Sequence, residues 1–240
     1  MTTMNTTEHR SKQFDADLED IRSRVLQMGG IVETQILNAI DSFTTGSRDL
    51  FVRVVEGERE VDSREKDIDD ACVHLVARRQ PTAGDLRLIM GVSKIVTDLE
   101  RIGDEAEKIA RMARQIHERG TLQLPRFVDV RQSADMAVVM LRRSLDALAR
   151  LDAPESEKII VEDRLIDSEF RGIVRQLITY MMEDPRTIST ALDILWVAKS
   201  IERIGDHAKN IAEQVIYIVS GADVRHTPEA GAGTDGNEAR

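Results

Sequence analysis

The sequence predicts an all-α protein made of two tandem three-helix bundles with long antiparallel helices. Three observations point to this fold class. Aromatic residues make up only 3% of the 240 residues, whereas aliphatic and charged residues that favour helices dominate. Apolar residues recur every three or four positions over long stretches, which is the spacing of one helix face. A segment in the middle of the chain also returns near its end, which is typical of a repeated unit.

Proline and glycine residues predict where the helices end. Proline cannot continue a helix, and each proline falls where an apolar stretch stops, namely at Pro81, Pro125, Pro154, Pro185 and Pro228. A further break is predicted at Thr44–Ser47, where Gly46 lies beside residues that commonly cap helices. These breaks divide the chain into six predicted helices.

Each predicted helix carries one apolar stripe, which marks its buried side. In chain order the stripes run from Phe14 to Phe43, Val54 to Leu75, Ile89 to Ile109, Phe127 to Leu148, Ile159 to Leu177 and Ile188 to Val215. Short connections make sequential helices antiparallel neighbours. We therefore predict a polar N-terminal arm, two bundles and a disordered Gly- and Ala-rich tail, at residues 1–12, 13–120, 121–220 and 221–240 respectively.

An internal repeat relates the two predicted bundles. Leu99–Ala110 returns as Ile201–Ala212, 102 residues later, with eight of twelve positions identical. At an offset of 98, an acid-x-x-Ile-Asp pattern on the preceding helix also recurs. Each half therefore carries two acid-x-x-x-Asp pairs, which are Glu65/Asp69 with Glu100/Asp104 and Asp163/Asp167 with Glu202/Asp206.

The positions of these acids favour a cation site. Residues at i and i+4 share one helix face, but a further pair, Glu58/Asp62, shows the same spacing, so spacing alone is weak support. Glu65 and Asp163 fall on the apolar stripes of their helices, where an uncompensated carboxylate is costly. A hard cation such as magnesium, manganese or iron would remove that cost.

The register of the pairs differs between the halves. In the second half the two pairs are level across the predicted hairpin, whereas in the first half they are out of level by about five residues, or roughly 7 Å. Gly103 and Gly205 lie between the two acids of their pairs, directly before the Asp, at equivalent mid-helix positions where glycine costs about 1 kcal/mol against alanine. We expect these glycines to permit a close helix contact or to leave room beside the acids.

Two other interpretations of the acids stay open. In a structural bundle without metal, the acids would face solvent or pair with neighbouring arginines, which are Arg64, Arg101, Arg164 and Arg203. A metal-dependent hydrolase or oxidase is the other, but no paired histidines, nucleophile motif or Gly-rich phosphate loop accompanies the acids. We therefore expect no enzyme and no catalytic residue.

Composition excludes further classes of protein. The net charge of -10 provides no general attraction to nucleic acid or to anionic lipid. Apolar runs are far too short for a membrane span, so we expect a soluble protein without membrane insertion. The single cysteine, Cys72, excludes an internal disulfide and suits a reducing cytoplasm.

The chain resembles the PhoU family of phosphate-signalling regulators over nearly its whole length between the polar ends. The repeated Glu-Arg-Ile-Gly-Asp motif carries much of the resemblance, together with stretches at 71–73, 77–83, 85–88, 172–177 and 179–188. The resemblance implies two similar three-helix bundles whose acidic motifs hold magnesium, manganese, iron or zinc. Carried over by position, the metal ligands are Glu65, Asp69, Glu100, Asp104, Asp163, Asp167, Glu202 and Asp206.

The same resemblance implies a function in phosphate homeostasis. Family members are cytoplasmic, are often homodimers, and work at the inner face of the membrane through their partners. Those partners are the ATPase subunit of the phosphate ABC transporter and the phosphate-sensing histidine kinase. Members restrain phosphate uptake and repress the phosphate-starvation response when phosphate is plentiful. On this resemblance we expect a non-enzymatic, metal-binding adaptor.

Overall fold

A computed structural model of the chain describes residues 4–119 and 128–225, and it confirms the all-α fold class. The described residues form six long α-helices and one short 3-10 turn, with no strand among them. The helices are α1 (Met4–Thr45), α2 (Arg48–Arg79), α3 (Ala83–Glu118), α4 (Val128–Arg150), α5 (Ala153–Glu183) and α6 (Ile188–Ser220), and the 3-10 turn spans Pro185–Thr187.

The helix ends lie where the breaking residues predict them. Gly46, with φ 71°, follows α1 and supplies the left-handed backbone of the α1–α2 turn. The Asp152 carboxylate caps α5 by accepting a hydrogen bond from the Glu155 backbone N–H at 3.0 Å, and Pro154 lies in the first turn of that helix. Pro185 begins the 3-10 turn that leads into α6.

The ends of the chain and the connection between the halves are described only in part. Helix α1 begins at Met4, so residues 4–12 of the predicted N-terminal arm are helical. Helix α6 ends at Ser220, where we place the end of the second bundle. The predicted boundary at residues 120 and 121, two of the five prolines and most of the predicted tail lie outside the described residues.

The six helices pack as two groups of three around one continuous core. Helices α1, α2 and α3 contact one another, as do α4, α5 and α6, while α3 packs along α6 and α1 contacts α4. The α3–α6 contact is antiparallel, because Asp98, Glu105 and Arg119 meet residues of decreasing number on α6, which are His207, Arg203 and Asp193. Equivalent helices thus face each other across the centre of the molecule.

The predicted apolar stripes form the core. On α2 the stripe residues Val54, Val61, Ile68 and Cys72 are all buried, and Ile102 and Ile204 are buried at equivalent positions of α3 and α6. Within residues 4–119 and 128–225, no helix combines the length and the apolar character that a membrane crossing needs.

Candidate cation-binding acidic faces

The first acidic face lies on the α2–α3 hairpin and contains Asp62, Glu65 and Asp69 of α2 with Glu100 and Asp104 of α3. Glu65 and Glu100 lie on adjacent helices of the hairpin, near enough for the Glu100 carboxylate to raise the pKa of Glu65. Asp69 lies farther along α2, where its carboxylate accepts a hydrogen bond from the Ser93 hydroxyl at 2.8 Å. The structure therefore brings Glu65, Glu100 and Asp104 together and places Asp69 at one end of the face. This agrees with the predicted offset between the two acid pairs of the first half.

Negative charge on the first acidic face is poorly compensated. Burial and the neighbouring carboxylates of Glu100 and Asp69 raise the pKa of Glu65, and burial followed by Asp104 raises the pKa of Glu100. Arg101 is the cation near these groups, with guanidinium nitrogens 3.3 Å from both the Glu100 and Asp104 carboxylates. The Arg101 contact with the buried Oε2 of Glu100 is an ion pair without hydrogen-bond geometry, so this oxygen accepts no hydrogen bond from the described residues. Among the described residues, Arg101 pairs with two of the five acids, so the negative charge of this face is only partly compensated.

The second acidic face lies on the α5–α6 hairpin, where the predicted Asp163, Asp167, Glu202 and Asp206 all come together. Partial burial and the carboxylates of Glu202, Asp163 and Asp167 raise the pKa of Asp206 to about 6. The Asp206 side chain nevertheless keeps much of its surface exposed, so solvent screens part of this repulsion. The other three predicted acids therefore lie near enough to Asp206 to repel its charge, in agreement with their level register, although no three acids of this face converge closely enough to hold an ion.

Basic side chains compensate much of the second acidic face. Lys209 Nζ lies 3.0 Å from the buried carboxylate of Asp163, and Lys199 Nζ lies 2.5 Å from that of Glu202. Arg171 lies 3.9 Å from Asp167. Two of the arginines that the sequence offered as partners pair with other acids: Arg203 with Glu105, and Arg64 with Glu60. Lys199, Lys209 and Arg171, rather than Arg203, therefore supply positive charge to this face.

Sequence reasoning left one acid of the first half without a role. Glu58 is buried, and burial raises its pKa to about 7. The hydrogen bond from Gln35 lowers this pKa, whereas the carboxylates of Asp104, Asp62 and Glu107 raise it. A signal for it was present, because Glu58 stands on the same apolar stripe of α2 as Glu65.

The mid-helix glycines leave room beside the acids, as expected. A β-carbon on Gly103 would lie 2.8 Å from Glu58 Oε2. A β-carbon on Gly205 would lie 2.9 Å from Ile166 Cδ1 and 3.7 Å from Asp163 Oδ1. In both halves the glycine therefore permits a close contact between the second and third helices of the bundle, which are α2 with α3 and α5 with α6.

The first acidic face fits a hard cation in its donor chemistry and its charge. Its ligand atoms are carboxylate oxygens, which magnesium, manganese and iron accept, and a cation would relieve the repulsion between Glu65 and Glu100. As the side chains stand, however, no three carboxylate, imidazole or thiol groups of the described residues converge closely enough to hold an ion. A bound ion therefore requires side-chain rotation on this face.

Comparisons with known proteins show one consistent relationship. The family model described as PhoU domain matches residues 25–113 and 130–215. The phosphate-specific transport system accessory protein PhoU homolog of Pseudomonas aeruginosa is 49% identical over 221 residues, covering 92% of this chain and 90% of that protein. The phosphate-specific transport system accessory protein PhoU of Escherichia coli K12 is 47% identical over 226 residues, covering 94% and 93%.

Solved structures agree with this relationship. The crystal structure of PhoU from Pseudomonas aeruginosa superimposes with a TM-score of 0.83 at 47% identity, covering 87% of this chain and 100% of that one. The phosphate transport system regulatory protein PhoU from Streptococcus pneumoniae gives a TM-score of 0.80 at 23% identity, covering 88% and 99%, which supports the fold alone. The resemblance noted in the sequence is therefore confirmed.

Proposed function

This chain belongs to the PhoU family, and we propose on that premise that it is an accessory regulator of phosphate-specific transport. The relatives that carry this name match both halves of the chain, and each is aligned along nearly its whole length.

In its finer form the proposal is a non-enzymatic adaptor. The protein would act in the cytoplasm, at the inner face of the membrane, between the ATPase subunit of the phosphate ABC transporter and the phosphate-sensing histidine kinase. When phosphate is plentiful it would restrain uptake and repress the starvation response. A homodimer, expected from the family, stays a prediction that light scattering tests.

The observation that carries the metal part of the proposal is the only partly compensated negative charge of the first acidic face. Glu65 and Glu100 have raised pKa values because they are partly buried beside other carboxylates. We assign the preferred cation position to this face, since Lys199 and Lys209 pair with two of the four acids of the second face, whereas Arg101 alone pairs with the five acids of the first among the described residues. A bound magnesium, manganese, iron or zinc ion would supply a positive charge to which a carboxylate or phosphate of a partner can bind.

A co-purification experiment tests the adaptor. The tagged protein is recovered from cells grown at high and at low phosphate, beside a Glu65→Gln/Glu100→Gln variant and a control, Glu60→Gln, which changes an exposed acid of the same helix. We expect the transporter ATPase or the sensor kinase to accompany the wild type and the control at high phosphate, and to be reduced in the double variant.

Each outcome of that experiment has a definite meaning. If neither partner is recovered at any phosphate level, the adaptor is wrong. If chelation and the double variant leave recovery unchanged, the acidic face has no part in partner binding. The alternative of a metal-dependent hydrolase predicts manganese-stimulated phosphatase activity that the double variant abolishes, and we expect no such activity.

A further inference from the structure

Two buried polar side chains of the first half each have one oxygen without a hydrogen-bond partner among the described residues. Glu58 of α2 is 8% exposed and Gln35 of α1 is 2% exposed. The Gln35 amide nitrogen donates to Glu58 Oε2 at 2.6 Å and to the Val54 carbonyl at 3.2 Å. Oε1 of Gln35 and Oε1 of Glu58 have no partner among the described residues. Such buried acceptors are costly when they are left unpaired.

One proton satisfies both oxygens. A neutral carboxylic acid donates through one oxygen and accepts through the other, and a primary amide has the complementary donor and acceptor. We propose that Glu58 is held as a neutral carboxylic acid in a reciprocal hydrogen-bonded pair with Gln35, which makes the contact between α1 and α2 dependent on one proton. The Glu58 O–H then donates to Gln35 Oε1, while Gln35 N–H donates to Glu58 Oε2.

Helix α3 closes the space around this pair. A β-carbon on Gly103 would lie 2.8 Å from Glu58 Oε2 and 3.2 Å from Gln35 Oε1, so glycine leaves the room that the pair occupies. In the second half, the side chain nearest the equivalent Gly205 is the apolar Ile166. The repeated fold therefore does not itself require a buried acid–amide pair at this position.

The charges around Glu58 make it responsive near neutral pH. Asp62 faces it from its own helix and Asp104 and Glu107 from α3, while Gln35 meets it from α1. Burial, followed by these acidic neighbours, raises the pKa of Glu58 from 4.5 to about 7. Loss of the proton places an anion in the core beside three other acids, so the contact weakens as pH rises.

Chemical unfolding from about pH 5 to about pH 8 tests the pair, with wild type compared with Glu58→Gln. The variant keeps a reciprocal amide–amide pair but has no proton to lose. A folded-state pKa of about 7 against 4.5 in the unfolded chain means that wild-type stability falls as pH rises through this window. We expect the wild-type unfolding constant, relative to the variant, to rise by ~10- to 300-fold.

Controls and a second readout keep the test decisive. Glu60→Gln, at an exposed position of the same helix, should follow the wild-type pH profile. Asp206→Asn removes the other carboxyl group whose pKa is raised close to neutrality, to about 6. In this background, infrared difference spectra should show the band of a protonated carboxylic acid that titrates near neutral pH. The band should vanish when Glu58→Gln is added. The proposal is overturned if the stability of Glu58→Gln changes with pH as that of the wild type does, or if no carboxylic acid band titrates near neutrality.

Discussion

Removing the ammonium group of Lys209 tests the charge balance of the second acidic face. Its Nζ lies 3.0 Å from Asp163 Oδ2, and the two side chains are 33% and 6% exposed respectively. A Lys209→Met substitution keeps most of the aliphatic contact of the side chain but leaves the Asp163 carboxylate buried without its ion-pair partner. The variant should therefore be less stable than the wild type.

The size of the effect follows from the burial of the pair. Breaking a fully buried ion pair costs about 3–5 kcal/mol, because the remaining charge stays desolvated. A third of the Lys209 side chain is exposed, so solvent weakens the interaction and we expect a loss of about 2–3 kcal/mol. The ion pair of Lys158 with Glu155 on the same hairpin provides the control, because Lys158 is 66% exposed and Glu155 keeps its hydrogen bonds from Arg143, so Lys158→Met should cost much less than Lys209→Met.

Denaturant unfolding of a double-mutant cycle measures this directly. Adding Asp163→Asn to Lys209→Met removes the stranded charge, so the double variant should recover part of the lost stability. Millimolar manganese should also stabilise Lys209→Met more than the wild type, because a cation would replace the missing ammonium group. If Lys209→Met unfolds at the same denaturant concentration as Lys158→Met, the charge balance described for this face is wrong.

Two further predictions concern the helix contact between the halves and the pH response of the first acidic face. Gly91→Ala should destabilise by roughly 1–3 kcal/mol in equilibrium unfolding, because its β-carbon would lie 2.6 Å from Ile218 Cγ1. Gly84→Ala, with no atom within 4 Å of the new carbon, should instead be neutral or slightly stabilising. Equal losses in both variants would contradict the close α3–α6 contact. Glu65→Gln should raise stability at neutral pH by less than about 1 kcal/mol and leave it unchanged near pH 4, since a raised carboxyl pKa means that stability is lost as pH rises. A gain that is largest in acid would contradict the repulsion assigned to Glu65.

Most of the fold could be predicted from the sequence, because helix ends and buried stripes depend on local chemistry. Proline positions and the turn at Gly46 gave the divisions between helices, and three- and four-residue spacing gave the buried side of each. The antiparallel packing of α3 against α6 could not be predicted in this way. Periodicity identifies the apolar face of a helix but not the helix that covers it.

The candidate site was predicted less completely, for a related reason. Spacing along one helix placed the predicted acids on the two hairpins, but cross-helix neighbours depend on the packed register. The lysine partner of Asp163, Lys209 of the next helix, was therefore missed. The pairing of Lys199 with Glu202 at i, i+3 on α6 was open to prediction from spacing alone. Glu58 was also missed, since its burial and its contact with Gln35 of α1 bring together residues 23 positions apart.

Calorimetric titration of the metal-free protein with manganese tests the central claim, that the first acidic face is short of positive charge because a cation binds there. We predict binding to the wild type and to Asp167→Asn/Glu202→Gln, which changes the second face, and loss of that binding in Glu65→Gln/Glu100→Gln. A wild type that binds no manganese, or a first-face variant that binds it as the wild type does, would contradict the account.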